Sequence, residues 1–465
     1  MFLCLPAACS SSPFHVALPR RSLIRCLPAE GSACGEFWTQ GYGQLTAIGE
    51  SQLRSLGGIL RARYSRLLPW GLPASYSREH VYVRSTDYDR TLQSVMSLLQ
   101  GMFAPGTGMK LAGGAFALDA GVAVPPVHTV ELANDFILRA FSGDTCSAWP
   151  DMVHAEQEQF AHEFAQHMAA SQNVTTALGT AVGMPDLSYD QLGSVADSLL
   201  CMRAHGRTWP QGITEAMYTA AHAEAQWQVF NLYRLLPQRQ AAGGAALAML
   251  AARLTAAASP GGVQPQYEPN TFPSPAGVQL RGPPLAVYSA HDTTLLTVLY
   301  ALLGPQQVLA NPPYASSVVV ELVNATFAGG SVTPAVRMWY NRGIGTADSG
   351  GHSPPFAAGN LLALPGCANV GTGGDVLCAL DDWLRGTAAV AQADVAALCS
   401  GSGGGSDAAG SNKLGPGAVA AIVLGGMLGL MLVVVIVAFA VMGRSGNAAL
   451  KGAYGPLDTP PPHHD

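Results

Sequence analysis

The feature that most constrains this chain is Val419–Met442, VAAIVLGGMLGLMLVVVIVAFAVM, 24 residues without a charge. A helix needs about 20 apolar residues to cross the hydrocarbon core of a bilayer, so this stretch is long enough for one crossing. A single crossing puts the residues before it and the residues after it in different compartments. Arg444 and Lys451 follow the stretch and Lys413 precedes it. The positive-inside rule then expects a cytosolic tail, residues 443–465, and a large lumenal or extracellular part before the span.

The flanks fit that layout. Ser400–Asn412, SGSGGGSDAAGSN, has the composition of a flexible tether, which defines a linker over residues 400–418. The tail contains Tyr454-Gly455-Pro456-Leu457, in the Tyr-x-x-apolar form read by endosomal sorting adaptors. Within the span, Gly425 and Gly429 form a small-xxx-small pair that lets two helices pack closely, a route to a homodimer. Asn173 (NVT) and Asn324 (NAT) are candidate glycosylation acceptors. Nine cysteines in a non-cytosolic chain make disulfides expected. With 24 Lys and Arg against 30 Asp and Glu, the formal charge is −6 and no basic stripe is evident, which argues against nucleic acid as a partner.

Two segments share one plan. In the first, His80–Val83 is a short β-rich run, Arg84-Ser85-Thr86-Asp87 is a polar turn, and Leu92, Val95, Met96, Leu99 and Phe103 recur at helical spacing. Ser85 or Thr86 is a candidate cap for that helix, and Asp87 suits its first turn. In the second, Leu285–Tyr288 reads as a strand, Ser289–Thr294 as the turn, and Leu295–Leu303 as a helix closed by Gly304. Leu45–Tyr64 reads as a further helix with Thr46 as its cap, and SVVVELV and AVRMWY read as two more strands. Between about residues 129 and 280 the pattern is helical and Ala-rich, with loops expected at 171–186 and 259–284. The fold class is therefore α/β: a sheet flanked by helices, a mostly helical insertion, and one C-terminal transmembrane helix.

In α/β sheets, ligands bind beyond the carboxyl ends of the strands. Arg84 stands at one such end, and His291 with Asp292 at another. Each end opens a helix, whose free N–H groups attract anions. Arginine adds a permanent charge and a bidentate fork suited to phosphate. An anion site with a carboxyl that can give up a proton suits phosphoryl transfer. The bland reading is that Asp292 caps its helix, His291 is an ordinary surface histidine and Arg84 pairs with Asp87. Two matching polar turns weigh against it.

The longer motifs VRSTDYDRTLQS and YSAHDTTLL, with FWTQGYGQLTAIG, PPVHTV, NPPYAS and LPGC, resemble the histidine acid phosphatase family, in particular its lysosomal and prostatic branch. The resemblance runs from about Arg20 to Cys399 and implies a phosphoglycerate-mutase-like sheet for residues 20–399. It implies hydrolysis of phosphate monoesters through a phosphohistidine intermediate, without a metal or other cofactor. Carried over residue by residue, Arg84 binds phosphate, His291 hydrogen-bonds it, and Asp292 is the general acid that protonates the leaving alcohol. The resemblance also implies the disulfides Cys146–Cys399 and Cys367–Cys378, with Cys201 either free or paired with an N-terminal cysteine.

The family's nucleophile comes from an N-terminal RHGxRxP motif that this chain lacks. RRSLIRCLP resembles the later part of that region and places Arg21 on a phosphate-binding arginine. Ala17 and Leu18 then fall on the first arginine and the nucleophile, and neither can do that chemistry. MFLCLPAAC is also a poor secretory signal, with no basic residue before its apolar run. Motif, first strand and export signal fail together within residues 1–19, as expected of an aberrant or truncated N-terminus. The alternative is a catalytically inactive membrane glycoprotein of the same fold that binds a phosphorylated ligand.

Two other patterns are set aside. Arg203–Arg207, RAHGR, mimics the missing motif but has no β-run before it. His162 and His167 are five residues apart, a turn of about 140° on a helix, where metalloprotease histidines are about four apart. With His154 they read as a solvated helix face and not as a metal site. The expected protein is a membrane-anchored acid phosphatase, lysosomal, vacuolar or at the cell surface.

Overall fold

The structure, a computed structural model, describes residues 38–400 except 39, 42, 69–70, 140, 260–283, 305–310, 328–329, 331, 344–353 and 368–375. Arg21, the span at 419–442 and the tail with Tyr454 and Leu457 lie outside the described residues.

Among the described residues the first helix is α1 (Ala47–Leu67), which begins at Thr46, whose hydroxyl accepts from Gly49 N at 3.4 Å. Strand β1 (Val81–Ser85) then leads into α2 (Asp89–Met102). Here the expected cap fails. The N-cap is Tyr88, without a side-chain bond to the helix, and Asp89 is the acidic residue of the first turn. Ser85 Oγ donates instead to Thr86 O at 2.8 Å, and Thr86 Oγ1 lies 2.9 Å from Thr91 Oγ1. Thr86 Oγ1 thus meets the Thr91 side chain in the first turn and His291 Nε2 at 3.2 Å, without capping a backbone N–H.

Strand β2 (Leu285–Ser289) pairs in parallel with β1, Val81 opposite Leu285 and Ser85 opposite Ser289. It feeds α8 (Asp292–Leu303), closed by Gly304 at φ 77°. Between α2 and β2 come α3 (Trp149–Gln159), α4 (Ala161–Ala181), α5 (Leu192–Ala204), α6 (Glu215–Phe230) and α7 (Leu236–Ala258). After α8, β3 (Ser317–Thr326) and β4 (Val332–Asn341) pair antiparallel, and the short β5 (Cys378–Ala379) joins β4. Helices α9 (Leu380–Ala391) and α10 (Val395–Cys399) follow.

Every residue of β1 and β2 is buried, as in a strand covered on both faces. Side chains alternate between two layers, as the period of a strand requires. Val81, Val83, Leu285, Val287, Val319 and Trp339 pack with α1 and α2. Tyr82, Ala286, Tyr288, Val318, Val320 and Met338 pack with α7, α8 and α9. The sheet face is thus a middle layer between helices. A separate cluster, built on Leu178, Leu192, Val195, Leu199 and Tyr218, holds α4, α5 and α6 together.

The loop read at 171–186 is helix as far as Ala181, because Leu178 and Gly179 are buried and Thr175 Oγ1 bonds back to Ser171 O at 3.0 Å. Asn173 therefore sits exposed on a helix, and Asn324 exposed on β3. Among the described residues, α7 is the helix long and apolar enough to cross a membrane, but it is mostly buried against α8 and α9 and serves as a core helix.

Cys146 is bonded to Cys399, joining residues 253 apart, and Cys367 is bonded to Cys378. Cys201 is disulfide-bonded as well, which excludes a free thiol there.

Candidate active site

The parallel pairing of β1 and β2 brings their carboxyl ends side by side, with Arg84 opposite Tyr288 and Ser85 opposite Ser289. His128 extends the same row through a parallel bridge to Arg84. Both polar turns therefore open over one edge of the sheet. Thr86 N donates to Ser289 O at 3.0 Å, and Ser289 Oγ donates to Thr91 O at 2.8 Å, locking the turns together.

Arg84 is 1% exposed and does not pair with Asp87, which is exposed. It donates from Nη2 to Asp135 Oδ1 at 2.5 Å. Asp135 is held by Leu138 N at 3.1 Å. Burial pushes the Asp135 carboxyl up, against the pull of Arg84. Asp135 fixes one side of the guanidinium fork, and the fork geometry then aims the rest.

His291 is the N-cap of α8, half-buried beside Thr86 and Arg90. Arg90 Nη2 lies 3.5 Å from His291 Nδ1, and Thr86 Oγ1 lies 3.2 Å from Nε2. A guanidinium only donates, so Nδ1 accepts and the ring proton is assigned to Nε2. Burial, then Arg90 and Arg139, hold the imidazole well below its ordinary pKa. A neutral ring with a proton on Nε2 is a hydrogen-bond donor to an anion, not a base.

Asp292 does not cap α8 but opens its first turn. Its Oδ1 accepts from Thr293 N at 2.8 Å and its Oδ2 from Asn311 Nδ2 at 2.9 Å. Burial pushes this carboxyl up, and the bonds from Asn311 and Thr293 only partly oppose that. A carboxyl that keeps its proton into the acidic range can give it to a leaving oxygen.

Several groups here carry no signal that a single sequence reveals. Asp197, on α5, accepts from Tyr314 Oη at 2.5 Å and feels the charge of Asp292; burial raises it to about 7. Asn311 and Tyr314 both come from NPPYAS, so one short segment touches two carboxyls. Asp135 and Arg139 lie outside every motif singled out in the sequence, while Arg90 lies in the motif of the first polar turn.

The patterns set aside have ordinary surroundings. His205 Nδ1 bonds to Cys201 O at 2.9 Å, and its ring meets Trp38 edge-on. His167 stacks on Trp227 at 3.7 Å and lies 3.0 Å from Glu224 Oε2, while His154 faces Glu158. Among the described residues no group of His, Cys, Asp and Glu could hold a metal ion.

An α/β sheet with a helical cover is a fold shared with solved structures. The phytase from Citrobacter braakii superposes with a TM-score of 0.52 over 84% of this chain and 96% of its own, at 15% identity, a likeness of fold. Residues 30–341 match the model of the histidine phosphatase superfamily, branch 2, and the chain belongs to that family. It is 30% identical to lysosomal acid phosphatase of Bos taurus over 83% of this chain and 79% of that one. It is 32% identical to testicular acid phosphatase of Homo sapiens over 71% of this chain and 68% of that one.

Proposed function

We propose that this chain is a membrane-anchored acid phosphatase of phosphate monoesters. The observation that carries the reading is the placement of Arg84, His291 and Asp292 at the carboxyl ends of two paired strands. In this reading Arg84 and His291 hold the phosphate oxygens, with Arg21 as a further cation from the N-terminal segment. In a form that carries the nucleophile motif this chain lacks, the motif's imidazole attacks phosphorus while the bond to the leaving oxygen breaks, and Asp292 gives that oxygen its proton. Water then attacks the phosphohistidine, with the Asp292 carboxylate taking a proton from it, which restores the acid. Charge in the transition state spreads over oxygens already faced by fixed donors, the kind of stabilisation that enzymes rely on most.

Asp292→Asn tests this. In a form with a complete nucleophile motif, hydrolysis of p-nitrophenyl phosphate at acidic pH should fall by about 10²–10⁴-fold. Wild-type turnover by the mutant would remove Asp292 from the role. The second reading, an inactive phosphate-binding relative, has one observation behind it: Ala17 and Leu18 fall where the nucleophile motif should be. The two separate by the 5′ end of the transcript, where an in-frame upstream RHGxRxP supports the first and a verified start at Met1 supports the second. The second expects phosphate binding without turnover, and the first expects turnover wherever the motif is restored.

The span at 419–442 and the cation balance around it support a single-pass arrangement, with the phosphatase domain lumenal or extracellular. The relatives named lysosomal acid phosphatase support an acidic compartment, and Tyr454–Leu457 supplies the sorting signal to reach it. Asn173 and Asn324 are exposed and are the proposed glycan sites.

A further inference from the structure

Two cations beside His291 have no part in the reaction above. Arg90 opens α2, and Arg139 lies four residues after Asp135. Their guanidinium carbons stand 4.6 and 5.5 Å from the centroid of one ring, that of Tyr88. Each interacts with His291 electrostatically, and each repels the other. Arg90 Nε and Arg139 Nη1 are buried and have no hydrogen-bond partner among the described residues. The carboxylate bonded to Arg139 is Asp144, at 3.0 Å, and its side chain is 73% exposed. Asp292 attracts Arg90, but that carboxyl holds its proton in the acidic range.

The balance is an excess of positive charge and orphaned donors just beyond the site where phosphate would sit. A guanidinium offers five donors and accepts nothing, and a buried donor left unpaired costs free energy. Tyr88 spaces the two forks by presenting its ring to both. An anion lying against this ring would fill the open donors and relieve the repulsion, while the exposed Asp144 carboxylate would yield to it at small cost.

We propose that Arg90 and Arg139, arranged about Tyr88, form a second anion subsite, which takes a phosphate or carboxylate on the leaving group of the substrate. The preferred substrate is then a small phosphate monoester that carries a second anionic group. The proposal rests on reading Arg84 and His291 as the phosphate site.

The test is calorimetric binding to the full chain in detergent, at one low ionic strength. The probes are propyl phosphate and 1,3-propanediol bisphosphate. The bisphosphate should bind at least about tenfold more tightly, the effect expected of added hydrogen bonds to charged groups. Arg139→Gln should cut that preference severalfold, Arg139→Lys should keep part of it, and Asp144→Asn should increase it. Asp144 is exposed, so a folding defect does not cloud that last variant. Equal affinity for the two probes would overturn the subsite alone, as would a preference that survives Arg139→Gln and ignores Asp144→Asn. Propyl phosphate affinity unchanged by Arg84→Gln would overturn the underlying reading of the phosphate site, whatever the preference between probes.

Discussion

Replacing Asp197 with Asn should change how this protein's stability depends on pH, and the direction follows from the fold. The carboxyl has an ordinary value of 3.8 and is raised to about 7 by burial, with Asp292 adding repulsion. A raised carboxyl keeps its proton in the folded state over a range where the unfolded chain has lost it. Its contribution to stability is therefore full below 3.8 and is lost as pH rises through about 7. A shift of about three pH units at about 1.4 kcal/mol each sets an upper bound of about 4 kcal/mol. Asp197 is partly exposed, so solvent screening reduces this to about 2 kcal/mol.

Asn keeps an oxygen to accept the Tyr314 hydroxyl but does not titrate. Urea unfolding followed by circular dichroism between about pH 4 and about pH 8 reads the difference directly. The wild-type protein should lose stability as pH rises toward 7, and the Asp197→Asn variant should lose less and be the more stable of the two at the alkaline end. Parallel slopes for the two proteins would refute the reasoning. Glu156 provides an independent check in the helical layer. It is 1% exposed, accepts from Arg234 N at 2.9 Å, and is raised by burial from 4.5 to about 7, so Glu156→Gln should flatten the same window. The site gains as well. With Asp197 uncharged in acid, its repulsion of Asp292 and of an incoming phosphate is removed.

How far the sequence reached depends on the range of the cause. The strand–turn–helix units were legible because their signals are local. A run such as LAVY is hydrophobic throughout, and Thr46 and Gly304 are caps whose geometry is set within a few residues. Placing Arg84, His291 and Asp292 at strand ends needed only that local reading. Their partners could not be found so. Asp135 reaches Arg84 from 51 residues away, Asp197 reaches Tyr314 from 117, and neither sits in a periodic pattern. The wrong cap at Ser85 or Thr86 has the same origin. Local chemistry favours a hydroxyl cap, but Thr86 lies beside His291, 205 residues later, and the tertiary contact wins. Residues 171–186 read as a loop because Asn, Thr and Gly are weak helix formers, and burial of Leu178 and Gly179 outweighs that preference.

The remaining predictions concern what holds the site in place. Gly57 and Gly101 let α1 and α2 touch by their backbones, since a Cβ on Gly101 would lie 1.9 Å from Arg54 O. Gly101→Ala should lower stability by about 1–3 kcal/mol or more in thermal unfolding, and it should weaken phosphate binding because α2 carries Arg90. An unchanged melting temperature would show that the helices can separate freely. Glu321 works in the opposite sense to Asp197. It accepts from Arg63 at 2.8 Å, Arg337 at 2.8 Å, Tyr64 at 2.9 Å and Trp339 at 3.1 Å. These bonds outweigh the cost of burying it and lower its pKa from 4.5 to about 2. A lowered carboxyl gives stability that is present above 4.5 and is lost as pH falls through about 2. The shift of about 2.5 units corresponds to about 3 kcal/mol, and the side chain is 8% exposed, so little is lost to screening. Acid unfolding of the wild-type protein should therefore begin only well below pH 4.5, while Glu321→Gln should be weaker at every pH above that and lack this step. Taken with Asp197 and Glu156, the fold should be most stable in a mildly acidic window, bounded below by loss of the Glu321 charge and above by ionisation of the two raised carboxyls. A stability maximum at or above about pH 8 would contradict the assignments of Asp197 and Glu156.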